Sequence, residues 1–132
     1  AAILSAKLRH LEVWSKKRKS IARAYDSPLS GIVETPRVSK GNTHAYLHYV
    51  ISVSRRDQLL SYLHDHGVEA GIHYPVPLHL QSAYKHLHYK KGSLPHAEYA
   101  ADHILSLPIF PEMTSAETNY ISGLITKFYE KQ

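Results

Sequence analysis

Three observations predict an α/β (α+β) fold with a small sheet of two to four strands, partly antiparallel, and helices packed on it. A long stripe of apolar residues at helical spacing opens the chain. One segment in the first half alternates with the period of a strand. The elements then follow in the order helix, strand, helix, strand, loop, helix, helix, punctuated by caps, glycines and prolines.

Leu4, Leu8, Leu11, Trp14, Ile21 and Tyr25 recur at helical spacing, so residues 1–26 read as one long helix. Arg18 interrupts the stripe, Lys16, Lys17 and Lys19 fall opposite it, and Pro28 and Gly31 end the element. Residues 32–44 form a connection with turn signals at Pro36, Gly41 and Asn42, and with room for a short strand at Ile32–Glu34. Ala45 to Val53 is the clearest strand, and Leu47, Tyr49, Ile51 and Val53 are its more apolar, core-facing set. Ser54 is the expected cap of the next helix, with Asp57 in capping-box position, Leu59, Leu60 and Leu63 as its apolar face and Gly67 as its stop.

Val68 to His73 reads as a second strand. Pro75 and Pro77 then stiffen an extended loop, because neither can donate a ladder hydrogen bond. Residues 82–88 suit a short helix and Gly92 breaks the chain. Pro95 opens a further helix whose face is Ala97, Ala100, Ala101, Ile104 and Leu105. Leu107 to Pro111 reads as a proline-bounded loop. Thr114 caps the last helix, Glu117 completes its capping box, and Ile121, Leu124, Ile125 and Phe128 form its buried stripe.

Composition limits the classes of function. A chain of 132 residues fits a single domain, 1–132, with one modest core. Apolar residues at 43% and charged residues at 20% place it among globular chains rather than disordered ones. The absence of cysteine excludes a disulfide framework and a thiolate metal site, and it suits a cytoplasmic setting. No apolar run reaches the roughly 18–20 residues of a membrane span, and the N-terminal stretch lacks the apolar segment of a signal peptide. The chain starts at Ala1 inside a helical pattern, which predicts a piece of a longer polypeptide. The net charge of +5 is compatible with a phosphate-bearing ligand.

The segment Gly71-Ile72-His73-Tyr74-Pro75-Val76-Pro77-Leu78-His79-Leu80-Gln81 is the candidate for chemistry. It carries imidazole, phenol and amide groups on a backbone stiffened by two prolines, a combination suited to sugar hydroxyls and phosphates. The alternative is an ordinary exposed loop. Other features point to less. Residues two apart on a helix lie on different faces, so His64 and His66 do not suit a shared metal ion. His86 and His88 have no third ligand nearby in sequence. The run Lys16-Lys17-Arg18-Lys19 reads as a solvated helix face rather than a nucleic-acid site. No nucleophile, phosphate-loop or dinucleotide motif occurs.

Three separate segments carry a resemblance. Ala1-Ala2-Ile3-Leu4 with Lys7-Leu8, Leu11, Trp14 and Arg18 resembles the helix that opens the C-terminal domain of the DegT/DnrJ/StrS family of nucleotide-sugar aminotransferases. Gly71 to Gln81 is similar to that family's most recognisable C-terminal motif, and Leu105 to Thr114 to its closing segment. Arg55-Arg56-Asp57 to Gly67 fits the helix before the motif. The chain departs from the family at Ser82, where Pro is frequent, at His88, where Gly is common, and at Leu94, where Phe is common.

The resemblance implies the small C-terminal domain of an aspartate-aminotransferase-like enzyme dependent on pyridoxal phosphate. It implies amino transfer from glutamate to a nucleotide-linked keto-sugar, in a homodimer with active sites at the subunit interface. The cofactor's lysine is expected in a large N-terminal domain outside this sequence, and Lys85 does not replace it. His73 and Tyr74 are the implied substrate-binding residues, with His79 and Gln81 as substrate contacts or as residues that order the loop. No metal, nucleic-acid or membrane partner is implied. The alternative function is a stand-alone binding or regulatory module that has the fold without catalysis.

Overall fold

The computed structural model describes residues 1–130. The opening stripe forms two helices rather than one, α1 (Ala2–Leu8) and α2 (Leu11–Leu29), which part at Arg9–His10. There the His10 N–H donates to the Lys7 carbonyl at 3.0 Å, a tight closing turn, and a new ladder starts with Trp14 N–H on His10 O. α2 runs past residue 26 and carries Pro28 in its last turn, where only one ladder donor is lost. The stripe is buried only in its second half. Ile21, Ala22, Tyr25 and Leu29 enter the core, whereas Leu4, Leu8 and Leu11 are exposed.

The sheet has two strands, β1 (Tyr49–Ser52) and β2 (Ile104–Leu107), paired antiparallel with Tyr49 opposite Leu107 and Ser52 opposite Ile104. Single bridges extend it on both flanks, Glu34 to Ser52 and Gly71 to Ser106. Thus Val68–His73 contributes one bridge instead of a full strand, and the Ile32–Glu34 segment likewise. β1 is shorter than its alternating pattern because Tyr46 has a left-handed φ of 49°, which extended pairing does not accommodate. Leu47 falls before the strand and is exposed, while Tyr49, Ile51 and Val53 are buried as their alternation requires. β2 occupies residues whose spacing alone fits a helix end and a loop. Pairing with β1, a long-range contact, decides the matter.

α3 (Arg56–Asp65) buries Leu59 and Leu63 and ends before Gly67 at φ 74°. Its cap position is Arg55, not Ser54, and Asp57 pairs with Arg56 instead of closing a capping box. α4 (Pro95–His103) starts on its proline. α5 (Ser115–Glu130) has the expected box: Thr114 N–H donates to Glu117 Oε2 at 2.7 Å, and Glu117 N–H donates to Thr114 Oγ1 at 3.2 Å. The Thr114 backbone N–H, followed by its hydroxyl, holds the Glu117 carboxyl below the usual carboxylate range.

α2 and α5 pack together on the side of the core formed by Tyr25, Tyr49, Ile51, Leu105 and Ile125. Tyr25 and Tyr49 are fully buried with ring centroids 4.9 Å apart. Each hydroxyl is satisfied: Tyr25 donates to Pro108 O at 3.0 Å and Tyr49 to Asp26 Oδ1 at 2.6 Å. Burial pushes both phenols well above their ordinary range, and the Asp26 carboxylate adds to the effect at Tyr49. No helix among the described residues is long and apolar enough to cross a membrane.

Candidate functional site

The motif segment leaves the sheet beside β2. Gly71 and Ser106 exchange backbone hydrogen bonds, Gly71 N–H to Ser106 O at 3.0 Å and Ser106 N–H to Gly71 O at 2.7 Å. This bridge fixes the root of the loop. The His73 ring then folds back over Gly71. A Cβ at position 71 would lie 3.0 Å from His73 Cε1, so a glycine permits the close approach. His73 Nδ1 and Ser106 Oγ are hydrogen bonded at 3.1 Å, and Ser106 itself is buried. On its other side the His73 ring stacks on His48, with centroids 4.5 Å apart and planes 23° apart. The peptide bond from His73 to Tyr74 is cis. The Tyr74 ring stands edge-on to His73 at 5.9 Å and is 73% exposed.

His48, His73 and Ser106 line a cleft of about 470 Å³, together with Arg18, Glu69 and Pro108. That volume is within the range of small-ligand sites, roughly 300–1,000 Å³. Arg18 explains its place in the apolar stripe. Its Nη1 reaches the carbonyls of Tyr46, Leu47 and Ile109 at 3.3, 3.4 and 3.5 Å, so one cation gathers two irregular segments at the cleft edge. The cleft therefore offers two imidazoles, a hydroxyl, a cation and a carboxylate. The imidazoles, the hydroxyl and the guanidinium can donate to hydroxyl or anionic oxygens, whereas the Glu69 carboxylate can only accept. No described lysine lines the cleft. A larger hollow of about 600 Å³ lies at residues 30–37, the end of β1 and Tyr129, and it contains no imidazole.

The structure separates the four predicted residues into two pairs. His73 lines the cleft, and Tyr74 stands edge-on beside it without lining the cleft itself. His79 is buried away from it, with its Nε2 donating to Glu98 Oε1 at 2.9 Å and Tyr89 set edge-on to its ring at 6.1 Å. Gln81 turns back on the loop and donates to Val76 O at 3.2 Å. The residues after the two prolines form two 3-10 turns, Leu78–Leu80 and Ser82–Leu87. His88 follows at φ 57°, the left-handed conformation that glycine adopts most readily, so the turn keeps its shape with a histidine there. Sequence reasoning misses His48, Ser106 and Glu98 as site residues. Ser106 had one signal, a lone hydroxyl inside the apolar run Leu105–Leu107. His48 and Glu98 had none, because their partners are distant in sequence.

The chain matches known proteins along most of its length. The family model of the DegT/DnrJ/EryC1/StrS aminotransferase family matches residues 1–126. A "pleiotropic regulatory protein" of Geobacillus stearothermophilus is 39% identical, over 98% of this chain and 36% of the relative. A dTDP-3-amino-3,4,6-trideoxy-alpha-D-glucose transaminase of Streptomyces venezuelae is 33% identical, over 99% of this chain and 35% of the relative. The crystal structure of S. venezuelae DesV in complex with a ketimine intermediate superposes with a TM-score of 0.94 at 33% identity, covering 98% of this chain and 35% of DesV. The chain thus spans about a third of the length of the curated relatives it matches. Its fold is that of a domain of an aminotransferase. On sequence and fold together, the chain belongs to the DegT/DnrJ/EryC1/StrS aminotransferase family.

Proposed function

We propose that this chain is the C-terminal domain of a pyridoxal-phosphate-dependent aminotransferase that moves an amino group from glutamate to a nucleotide-linked keto-sugar. In this reading His73 and Tyr74 are the domain's contribution to the sugar side of the active site. The observation that carries it is the bracing of His73 at the cleft, by Ser106 on one face and His48 on the other, in a chain of this family. The dTDP-linked sugar named for the Streptomyces relative supports the substrate class.

The chemistry of the donor set decides which half of the site these residues fit. The cofactor requires a lysine anchor, and the cleft is lined by imidazole, hydroxyl and guanidinium groups instead. The residues suit the sugar side of the active site, and in this reading the anchoring lysine lies outside this sequence. When bound, pyridoxal phosphate supplies the electron sink for amino transfer. The chain's own residues do the positioning. Ser106 engages His73 Nδ1, so in this reading Nε2 is the nitrogen left for a sugar hydroxyl or a diphosphate oxygen. Tyr74 adds an exposed phenol beside it. Arg18 holds the cleft edge in shape. Gln81 braces the loop through Val76, a role in loop order rather than substrate contact. The complete protein acts in this reading as a cytoplasmic homodimer.

The test uses the complete protein purified with pyridoxal phosphate. Its visible absorbance band should shift when glutamate is added. His73→Ala should then slow the keto-sugar half-reaction by about tenfold to a hundredfold, the scale set by loss of positioning, and leave the glutamate half-reaction nearly intact. Equal losses in both halves would remove His73 from the sugar side. A second reading, a regulatory module without catalysis, draws on the name of the Geobacillus relative. It predicts no spectral response to glutamate at all.

A further inference from the structure

Between Ala70 and Ala101 the one buried residue is His79. The lobe that follows the loop, residues 74–94, has no apolar core of its own. Val76, Leu78, Leu87, Tyr89 and Leu94 are all exposed, and the second 3-10 turn buries nothing. Two left-handed residues, His88 and Gly92, bend the chain back toward α4. What meets it there is Glu98, in the first turn of α4.

Glu98 gathers four donated hydrogen bonds. The Gly92 N–H reaches both carboxylate oxygens at 2.8 Å, the Leu94 N–H reaches Oε1 at 3.2 Å, and His79 Nε2 reaches Oε1 at 2.9 Å. The His79 and Glu98 side chains are only 5% and 13% exposed. One carboxylate thus joins both ends of the lobe, the turn after the proline loop and the turn before α4. These donors hold the Glu98 carboxyl below its ordinary range, the Gly92 N–H first and His79 next. The loop itself is pinned at two points, His73 to Ser106 at its start and His79 to Glu98 at its end. Pro75 and Pro77 stiffen the span between them.

We propose that Glu98 is a positioning residue: through His79 and the Gly92–Leu94 turn it latches the 74–94 lobe onto α4, and so fixes the pose in which Tyr74 and His73 meet the keto-sugar. The role of the lobe in sugar binding rests on the functional reading above. The latch itself rests on geometry alone. Within this chain only the half-buried Pro77 and Leu80 offer apolar contact in the lobe, so cutting the latch loosens it as a unit. The sheet holds the root of the loop through Ser106, and the apolar cluster around β1 and β2 includes no residue of 74–94.

The experiment pairs Glu98→Gln with Glu98→Ala in the complete protein, since a glutamine amide oxygen still accepts some of the same bonds. Two readouts are taken. Amide hydrogen exchange is followed in peptides covering 74–94 and in those covering β1, β2 and α5. The two half-reactions are measured separately, with glutamate and with dTDP-3-amino-3,4,6-trideoxy-α-D-glucose as amino donors. The expected result is faster exchange confined to 74–94, stronger for alanine than for glutamine. With it comes a rise of about tenfold in KM for the sugar, the scale of a lost positioning contact, and an unchanged glutamate half-reaction. Unchanged exchange overturns the latch. Faster exchange with an unaltered sugar KM, or equal losses in both halves, overturns the positioning role. Failure of both variants to fold overturns the claim that the latch acts locally. If the unaltered protein performs neither half-reaction, it is the functional reading that fails, and the exchange data still uphold or overturn the latch.

Discussion

Ile51 and His79 are both buried, and their surroundings have almost nothing in common. Ile51 sits on β1 among Tyr25, Tyr49, Leu105 and Ile125, in a cluster drawn from α2, α3, α5 and both strands. His79 sits in a lobe of exposed side chains and meets one carboxylate. Around Ile51, stability is a sum of many non-directional contacts, roughly proportional to the apolar area removed from water. Around His79 it depends on a few directional bonds. The first kind of region loses stability by degrees, and the second loses its shape when one donor or acceptor is taken away. A domain with both can keep a fixed frame and still present a loop that responds to a local change.

The comparison can be broken at several points. The largest expected effect is in the frame. Ile51→Ala should lower the unfolding free energy by about 2–5 kcal/mol, the usual cost of truncating a buried aliphatic side chain, as read from the midpoint of chemical denaturation. A loss well under about 1 kcal/mol would mean that the apolar cluster does not hold the frame. Gly71→Ala probes the junction of the two regions. The added Cβ meets the end of the exposed His73 ring and not the backbone, so stability should fall by only about 1 kcal/mol or less. The ring must give by a few tenths of an ångström, however, and the NMR contact between His48 and His73 should weaken. A contact of unchanged strength would show that Gly71 is not needed for the close approach. The smallest effect belongs to the lobe. Leu87→Ala, on an exposed side chain, should change stability by no more than about 0.5 kcal/mol, and a larger loss would reveal packing that the lobe is said to lack.

Features settled by neighbours in the chain were legible in the sequence. The Thr114–Glu117 box is a contact over three residues, and it forms as read. The leucines of α3 and the stripe of α5 depend only on helical spacing, and Leu59, Leu63, Ile121 and Ile125 are buried accordingly. What distant partners decide was not legible. Ile104 and Leu105 continue the helical spacing of α4, yet β1 draws them into a strand. Leu47 continues an alternation that stops at Tyr46, where the backbone turns left-handed. The loop bearing His73 and Tyr74 stood out by its own composition. Its supports did not, because Ser106 and Glu98 lie 33 and 19 residues from the histidines they hold. Leu4, Leu8 and Leu11 illustrate a third case. Their spacing is helical and they lie on helices, but nothing among the described residues covers them.

The two interior tyrosines make the frame its own optical gauge. Tyr25 and Tyr49 keep their protons in the folded state well beyond the pH at which an unfolded tyrosine releases its own, about 10. Because their folded pKa is raised, the stability they contribute is complete below pH of about 10. It drains away as pH climbs from there toward their folded values. An alkaline titration followed by phenolate absorbance reads this pair directly. The late step belongs to the buried pair, and it marks the pH at which the frame gives way.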